Sequence, residues 1–421
     1  MHIAWLGKKS PFCGNVTYSR EVTNALLDRG YQVSFLHFSQ SEFPSRSTSS
    51  RYAYARADFS GTVPSQLPKT ASYKGNGRDD REKTEVHGWP MVEISLPCLY
   101  KSTIYTIPTL KSSQVLARAL WQLQPDLVHA SLTLSPLDFL LPEICQELSL
   151  PLVATFHPPF DHKMRNLSSG TQHLTYQLYA PCLANYDCVI VFSQIQRTLL
   201  VRLGVPAQKV AVIPNGVDEK KYSPGPADVK HSIAASRLFV YQGRIATEKN
   251  VESLLKAWKQ SDLGDDCKLL IIGNGPLAAS LKMSYGPEQG IIWLGFIGDE
   301  QRRIEILRGA DVFILPSFVE GLSLSLLEAM ACGVACIATD AGADGEVLEG
   351  GAGVILNTNR VTSELRTLLP LFHDHPELTM LLGQKARRRV LERYTLTRNI
   401  SQLEKLYAQI LQQQQVQLTG T

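Results

Sequence analysis

Long hydrophobic runs are missing from this chain. The longest, Leu269–Ile272, Val334–Ala338 and Val189–Phe192, fall far short of the roughly 18 residues that a membrane-spanning helix needs. No basic, apolar leader precedes the strand-like His2–Leu6. The expectation is therefore a cytoplasmic protein, at most peripheral on a membrane. The eight cysteines (Cys13, Cys98, Cys145, Cys182, Cys188, Cys267, Cys332, Cys336) form no C-x-x-C pair, and several lie in apolar runs. They read as reduced core residues rather than as zinc or redox groups. Charge of one sign is scarce too. The net charge is +3, with 18 Lys+Arg against 15 Asp+Glu in residues 1–200 and 24 of each in residues 201–421. No basic stripe of the kind that nucleic acid requires is present, although a slight attraction to anionic lipid is compatible with the first half. No D-x-D pair ends a strand. In His373-Asp374-His375, Asp374 reads as a helix cap before Pro376, so no metal is expected.

What remains is ordinary for a soluble globular protein: 421 residues, 44% hydrophobic and 19% charged. That length exceeds one core and predicts two domains. Strand His2–Leu6, helix Thr17–Asp28 and strand Gln32–Phe38 make a βαβ opening. Residues 40–85 read as a flexible insertion rich in Ser, Arg, Gly, Asp and Pro. Helix Ser113–Gln124 and strands Leu127–Ala130, Leu152–Phe156 and Cys188–Phe192 follow. The second half alternates strands at Val210–Ile213, Leu238–Tyr241, Lys268–Ile272, Gly290–Leu294, Asp311–Leu315 and Val334–Ala338 with helices Val251–Lys259, Leu277–Met283, Gln301–Arg308 and Leu322–Met330. The expected class is α/β: two doubly wound Rossmann-like domains, 1–205 and 206–390, facing a cleft, with a linker near Gly204–Gln208. Helices near Pro376–Arg393 and Ile400–Gln415 would supply a brace, with 391–421 packing back across the body and a disordered Gln-rich tail.

Pro316–Asp344 carries the most chemistry. Glu320 and Glu328 stand eight residues apart around the start of an apolar helix. A helix start after a strand favours an anion through its free amides. Carboxylates beside an anion site are costly unless they bond something neutral, such as sugar hydroxyls. The pair therefore suggests a ligand with phosphate in its middle and polyol at both ends, that is, a nucleotide-sugar. A ligand-free alternative also fits: Ser325 and Glu328 match the S-x-x-E capping box.

Other junctions extend the pattern. Gly243-Arg244 and Lys249 put two cations between a strand and a helix, suited to a diphosphate. Gly273-Asn274-Gly275 formally matches the G-x-G-x-x-A dinucleotide fingerprint, but the next strand ends in Gly295-Phe296 where that fingerprint wants an acid. Phe296 and Ile297 suit either a nucleobase or the core. His157 closes a first-domain strand and points to the crevice, or is simply a satisfied structural histidine. Gly14-Asn15 reads as a loop at the front of the first domain, for an acceptor or for helix capping. Pro214–Asp218 reads as a structural turn.

Taken in order, IPNGVD at 213–218, GRIATEKN at 243–250, GNGP at 273–276, GFI at 295–297 and the Glu320…Glu328 spacing resemble the family 4 glycosyltransferases of the GT-B fold. The resemblance implies transfer of a hexose from a nucleotide-sugar with retention of configuration and no obligatory metal or other cofactor. It implies that Gly243, Arg244, Lys249, Gly273 and Asn274 serve the donor, with Arg244 and Lys249 on the diphosphate. Glu328 would take the ribose, Glu320 the sugar, and the amides of Gly321, Leu322 and Ser323 the phosphates. Phe296 and Ile297 would flank the base, and His157 would meet the sugar at the reaction centre. Gly14-Asn15 stands where many members carry Gly-Gly. KKSPFCGNVTYSRE and YTIPTLKSSQVL are similar to cyanobacterial-type galactolipid synthases, which implies a glycosyl diacylglycerol acceptor at the cytosolic face of a membrane. A soluble sugar, sugar phosphate or polysaccharide acceptor stays open. So do an NAD-dependent oxidoreductase and a non-catalytic nucleotide-sugar-binding protein, although the intact set of cations and glutamates argues against the last.

Overall fold

The computed structural model describes residues 1–10, 13–40, 92–160 and 167–419. The expected insertion, beyond its first residue, lies outside them.

Apolar runs become buried parallel strands, as chains covered on both faces require. The first sheet holds β1 (His2–Gly7), β2 (Gln32–Gln40), β3 (Val92–Lys101), β4 (Thr106–Pro108), β5 (Leu127–Ser131), β6 (Leu152–Thr155), β7 (Cys188–Val191) and β8 (Val210–Val212). Their order is β4-β3-β2-β1-β5-β6-β7-β8, parallel except for β3–β4. The second sheet holds β9 (Arg237–Gln242), β10 (Cys267–Ile272), β11 (Ile291–Gly295), β12 (Val312–Leu315), β13 (Ala335–Thr339) and β14 (Val354–Leu356), ordered β11-β10-β9-β12-β13-β14 and wholly parallel. Strand order reverses between β1 and β5 in one sheet and between β9 and β12 in the other. In open α/β sheets, such reversals open the crevice that ligands use.

Four expectations are corrected. Val210–Val212 pairs with β7, so the crossing between sheets falls after Val212 rather than at 204–208. The first helix begins at Gly14, three residues early, so Gly14-Asn15 is a first turn and not a loop. Asp374 caps nothing: one helix ends at Asp374, the next starts at Pro376, and Asp374 instead meets His373 Nδ1 at 2.8 Å. The Gln-rich tail is helical through Thr419.

That last helix, Leu396–Thr419, starts beside the second sheet and lies across the first. Val217 N donates to Tyr394 O at 2.9 Å and Leu396 N to Val217 O at 2.8 Å. A Cβ on Gly216 would meet the Leu396 Cα at 2.6 Å, which explains why a glycine turns the chain there. Further along, Arg29 pairs with Glu404, and Tyr407 OH lies 2.6 Å from Nδ1 of the buried His129. All eight cysteines are free, seven of them buried. Among the described residues, no helix is long and apolar enough to cross a membrane.

Candidate active site

The loops after β9 and β12, on either side of the second sheet's reversal, bring the predicted cations and carboxylates together. Lys249 Nζ lies 2.6 Å from Glu320 Oε1, and the buried Ser317 hydroxyl donates to the same oxygen at 2.7 Å. Glu320 is itself buried, so its charge is matched by the lysine from the neighbouring loop. Arg244 stays exposed and pairs with Glu248 at 3.5 Å. Thus Glu248, which sequence spacing sets beside Lys249, neutralises the arginine instead.

Glu328 is buried on the helix Leu324–Ala331, where Gln242 Nε2 donates to it at 2.8 Å. Burial pushes its carboxyl up to about 7, opposed by nearby Arg303 and by the Gln242 bond. The capping-box alternative fails here. The helix N-cap is Ser323, whose hydroxyl accepts from Leu326 N, and Glu328 reaches across to β9 rather than back to the backbone.

Of the three amides expected at the phosphate, one is already engaged. Ser323 N donates to Asp344 Oδ1 at 3.0 Å, which leaves Gly321 and Leu322 N–H without a partner among the described residues. Asp344 is fully buried and its Oδ2 has no partner among the described residues; burial first, and the Glu320 charge second, raise its carboxyl well above the usual range. Its charged form is thereby disfavoured beside the Lys249–Glu320 pair. The turn is also buttressed from below, since Asn215 Nδ2 donates to Leu322 O at 3.2 Å.

Glycines 273 and 275 have a reason of their own. A Cβ on Gly273, at φ +135°, would lie 1.8 Å from Gly243 O, and one on Gly275 would lie 2.2 Å from Ile245 O. The loops after β9 and β10 thus pack backbone on backbone, with Ile245 N donating to Asn274 O at 3.0 Å. Asn274 is exposed, and its own Oδ1 accepts from Gly275 N. Past β11, Phe296 is 57% exposed, while Arg303 fixes the Ile297 and Gly298 carbonyls at 2.9 and 3.1 Å.

The first sheet closes the site. His157 follows β6, and its carbonyl oxygen would be 3.4 Å from a Cβ on Gly321. Phe160 N donates to Glu320 O at 3.2 Å. Burial, with Lys8 as the second cause, holds His157 down to about 3, so its ring is neutral. Glu346 reaches the other way: its carboxylate accepts from Ile195 N at 3.2 Å, at the start of the helix Gln194–Arg202. Gly14 is exposed, and a Cβ there would meet nothing within 4 Å among the described residues, whereas the Asn15 amide is engaged within the protein.

Sequence reasoning missed Gln242, Arg303, Ser317 and Asp344, along with Ser131, which meets His157 Nε2 at 2.8 Å. For Gln242, its place as the last residue of a buried strand beside the reversal was a usable signal. The others act through contacts that no local pattern announces. Among the described residues, no group of three or more His, Cys, Asp or Glu is placed to hold a metal.

Known proteins resemble this chain in sequence and fold. The profile of Glycosyl transferases group 1 matches residues 228–389, and that of Glycosyltransferase Family 4 matches residues 13–221. The UDP-Gal:alpha-D-GlcNAc-diphosphoundecaprenol alpha-1,3-galactosyltransferase of Escherichia coli is 27% identical over 54% of this chain and 59% of its own length. The sulfoquinovosyl transferase SQD2 of Arabidopsis thaliana is 27% identical over 70% of this chain and 58% of its own length. The chain thus spans rather over half the length of these curated relatives. Sucrose-phosphate synthase from Thermosynechococcus elongatus superposes with a TM-score of 0.70 at 20% identity, covering 97% of this chain and 98% of its own. Anabaena HepE in complex with UDP-glucose also gives 0.70, at 14% identity, covering 97% and 100%. Matched by the two profiles over most of its length and by these structures in its two facing sheets, the chain belongs to the family 4 glycosyltransferases of the GT-B fold.

Proposed function

We propose that the protein transfers a hexose from a nucleotide-sugar, a UDP-hexose in this reading, to an acceptor hydroxyl with retention of configuration. The observation that carries it is the gathering of Arg244, Lys249, Glu320, Glu328 and two amides without a partner among the described residues around one strand-order reversal. Arg244 and Lys249 take the diphosphate and stabilise the departing charge. Glu328 accepts from the ribose hydroxyls, and Phe296 with Ile297 flanks the base. Glu320, already held by Lys249 and Ser317, positions the sugar rather than attacking it. With no nucleophile placed for double displacement among the described residues, the leaving phosphate takes the acceptor's proton on the same face. Closure of the first sheet over the sugar, through the Phe160–Glu320 contact, excludes the water that would hydrolyse the donor. No metal is required. The HepE complexes with UDP and UDP-glucose support the donor half.

For the acceptor we propose a membrane glycolipid such as a glycosyl diacylglycerol. Leu99, Tyr100, Ile104, Tyr105, Ile107 and Leu110 are all exposed along β3, β4 and their flanks, Leu110 at 99%, with exposed Lys111 beside them. Exposed apolar side chains on this edge, with a lysine among them, suit an anionic bilayer surface, peripheral and without a span. Nucleotide release from a panel of nucleotide-sugars, with and without liposomes of diacylglycerol or monoglycosyl lipid, in EDTA, tests both halves. Release that rises sharply with one lipid supports the reading. Release indifferent to lipid moves the acceptor to a soluble sugar, and release that EDTA abolishes overturns the metal-free step.

A further inference from the structure

Asn15 stands in the first turn of the helix Gly14–Asp28, and both ends of its amide are engaged. Nδ2 donates to the Leu132 carbonyl at 3.2 Å, so Oδ1 faces the other way. The flipped amide would set two carbonyl oxygens against each other, which fixes the orientation. Oδ1 accepts the hydroxyl of the wholly buried Ser131 at 2.9 Å. A serine has one hydroxyl hydrogen, and this bond uses it. The same oxygen lies 2.8 Å from His157 Nε2, where it can only accept. Ser19 has one hydrogen for this pair and lies 3.3 Å from both Asn15 Oδ1 and Ser131 Oγ; the Ser131 bond to Asn15 is the shorter at 2.9 Å, so Ser131 keeps Asn15 as its acceptor and Ser19 donates to Ser131 Oγ. A neutral imidazole carries one ring hydrogen, and the partner of one nitrogen decides which nitrogen holds it.

We infer that Asn15, acting through Ser131, holds His157 as its Nε2–H tautomer and so presents Nδ1 as a hydrogen-bond acceptor at the end of β6. Asn15 is thereby a positioning residue rather than an acceptor contact. The inference rests on the donor-site reading for its consequence: a sugar group meeting Nδ1 must bring a hydrogen. A hydroxyl does so, whereas a carboxylate or sulfonate has none to give. Donors with an anionic substituent at that position are selected against.

The test is a ring nitrogen–proton correlation spectrum of full-length protein labelled with 15N-histidine, at neutral pH and without donor, with His157→Gln assigning the signal. The expected wild-type signal has a protonated Nε2 and a bare Nδ1. Asn15→Ala and Ser131→Ala remove the constraint. The Nδ1–H form then becomes populated, and kcat/KM for the donor falls about tenfold, the worth of one hydrogen bond. A wild-type signal with Nδ1 protonated overturns the inference even if no variant folds, as does an unchanged tautomer in folded Asn15→Ala. Because no donor is present, the spectrum stands or falls separately from turnover. The expected tautomer in a protein that binds no nucleotide-sugar would overturn the proposed function instead.

Discussion

Lys249, from the loop after β9, places its ammonium 2.6 Å from the buried carboxylate of Glu320, from the loop after β12. The two loops flank the reversal of strand order, so a single ion pair ties the two sides of the candidate donor site. Removing either partner has a definite consequence.

Lys249→Met leaves the Glu320 carboxylate buried and unmatched. The pair is not wholly dry, since the lysine side chain keeps 22% of its surface exposed. The expected loss is about 2 kcal/mol of folding stability, below the cost of breaking a fully buried pair. Adding Glu320→Gln should recover much of that loss in a denaturant-unfolding cycle, while donor turnover stays at least about a hundredfold down in both variants. Single changes that add without coupling would deny the pair this role.

Glu328 supplies a pH prediction. Burial raises its folded value to about 7, above the ordinary 4.5. The unfolded chain therefore releases this proton first as pH rises. Stability contributed by the protonated side chain declines from about pH 4.5 to about 7 and is level above that, a loss of roughly 3 kcal/mol. Glu328→Gln should unfold later than wild type at pH 8 and alike at pH 4. Donor binding should run the other way, strengthening as pH climbs through about 7, because only the carboxylate accepts from both ribose hydroxyls. His157, neutral over this range, adds no second limb, and a pH-binding curve unchanged in Glu328→Gln would refute the assignment.

Gly275→Ala tests the fingerprint alternative. The new Cβ would meet Ile245 O at 2.2 Å, with backbone on both sides. The expected cost is on the order of 3 kcal/mol, seen as a lowered Tm. Wild type should give no fluorescence change with NAD, since the glycine serves packing rather than a pyrophosphate. Saturable NAD binding would reinstate the oxidoreductase reading.

Tyr407→Phe removes the hydroxyl that meets His129 at 2.6 Å between the last helix and the first sheet. A loss of about 1 kcal/mol in stability is expected, with donor affinity unchanged. Thermal unfolding beside a donor titration separates the two.

Much of this fold is legible in sequence because buried parallel strands are written as short apolar runs, and β1, β2, β5 to β7 and β9 to β13 stand within a residue or two of where those runs lie. The edge pair β3–β4 escaped because its alternation is half-exposed. The helix Val361–Asp374 escaped because Pro370 reads as a breaker, yet sits inside it. β8 was visible but assigned to the wrong sheet, since strand propensity does not say which partner wins. Lys249 and Glu320 were legible as types, but their pairing was not, because it joins residues 71 apart. Asp344 on Ser323 N and Ser131 on His157 are likewise products of packing, 21 and 26 residues apart.

The most direct measurement is calorimetric titration of UDP-glucose and UDP-galactose into the full-length protein in EDTA, against Lys249→Met, Glu328→Ala and Arg244→Ala. The account predicts saturable binding by wild type to at least one of them, weakened about tenfold or more in each variant, the worth of one charge-assisted bond. Binding that persists undiminished in all three variants, or no binding of any nucleotide-sugar by folded wild type, would contradict the placement of a donor site between β9 and β12.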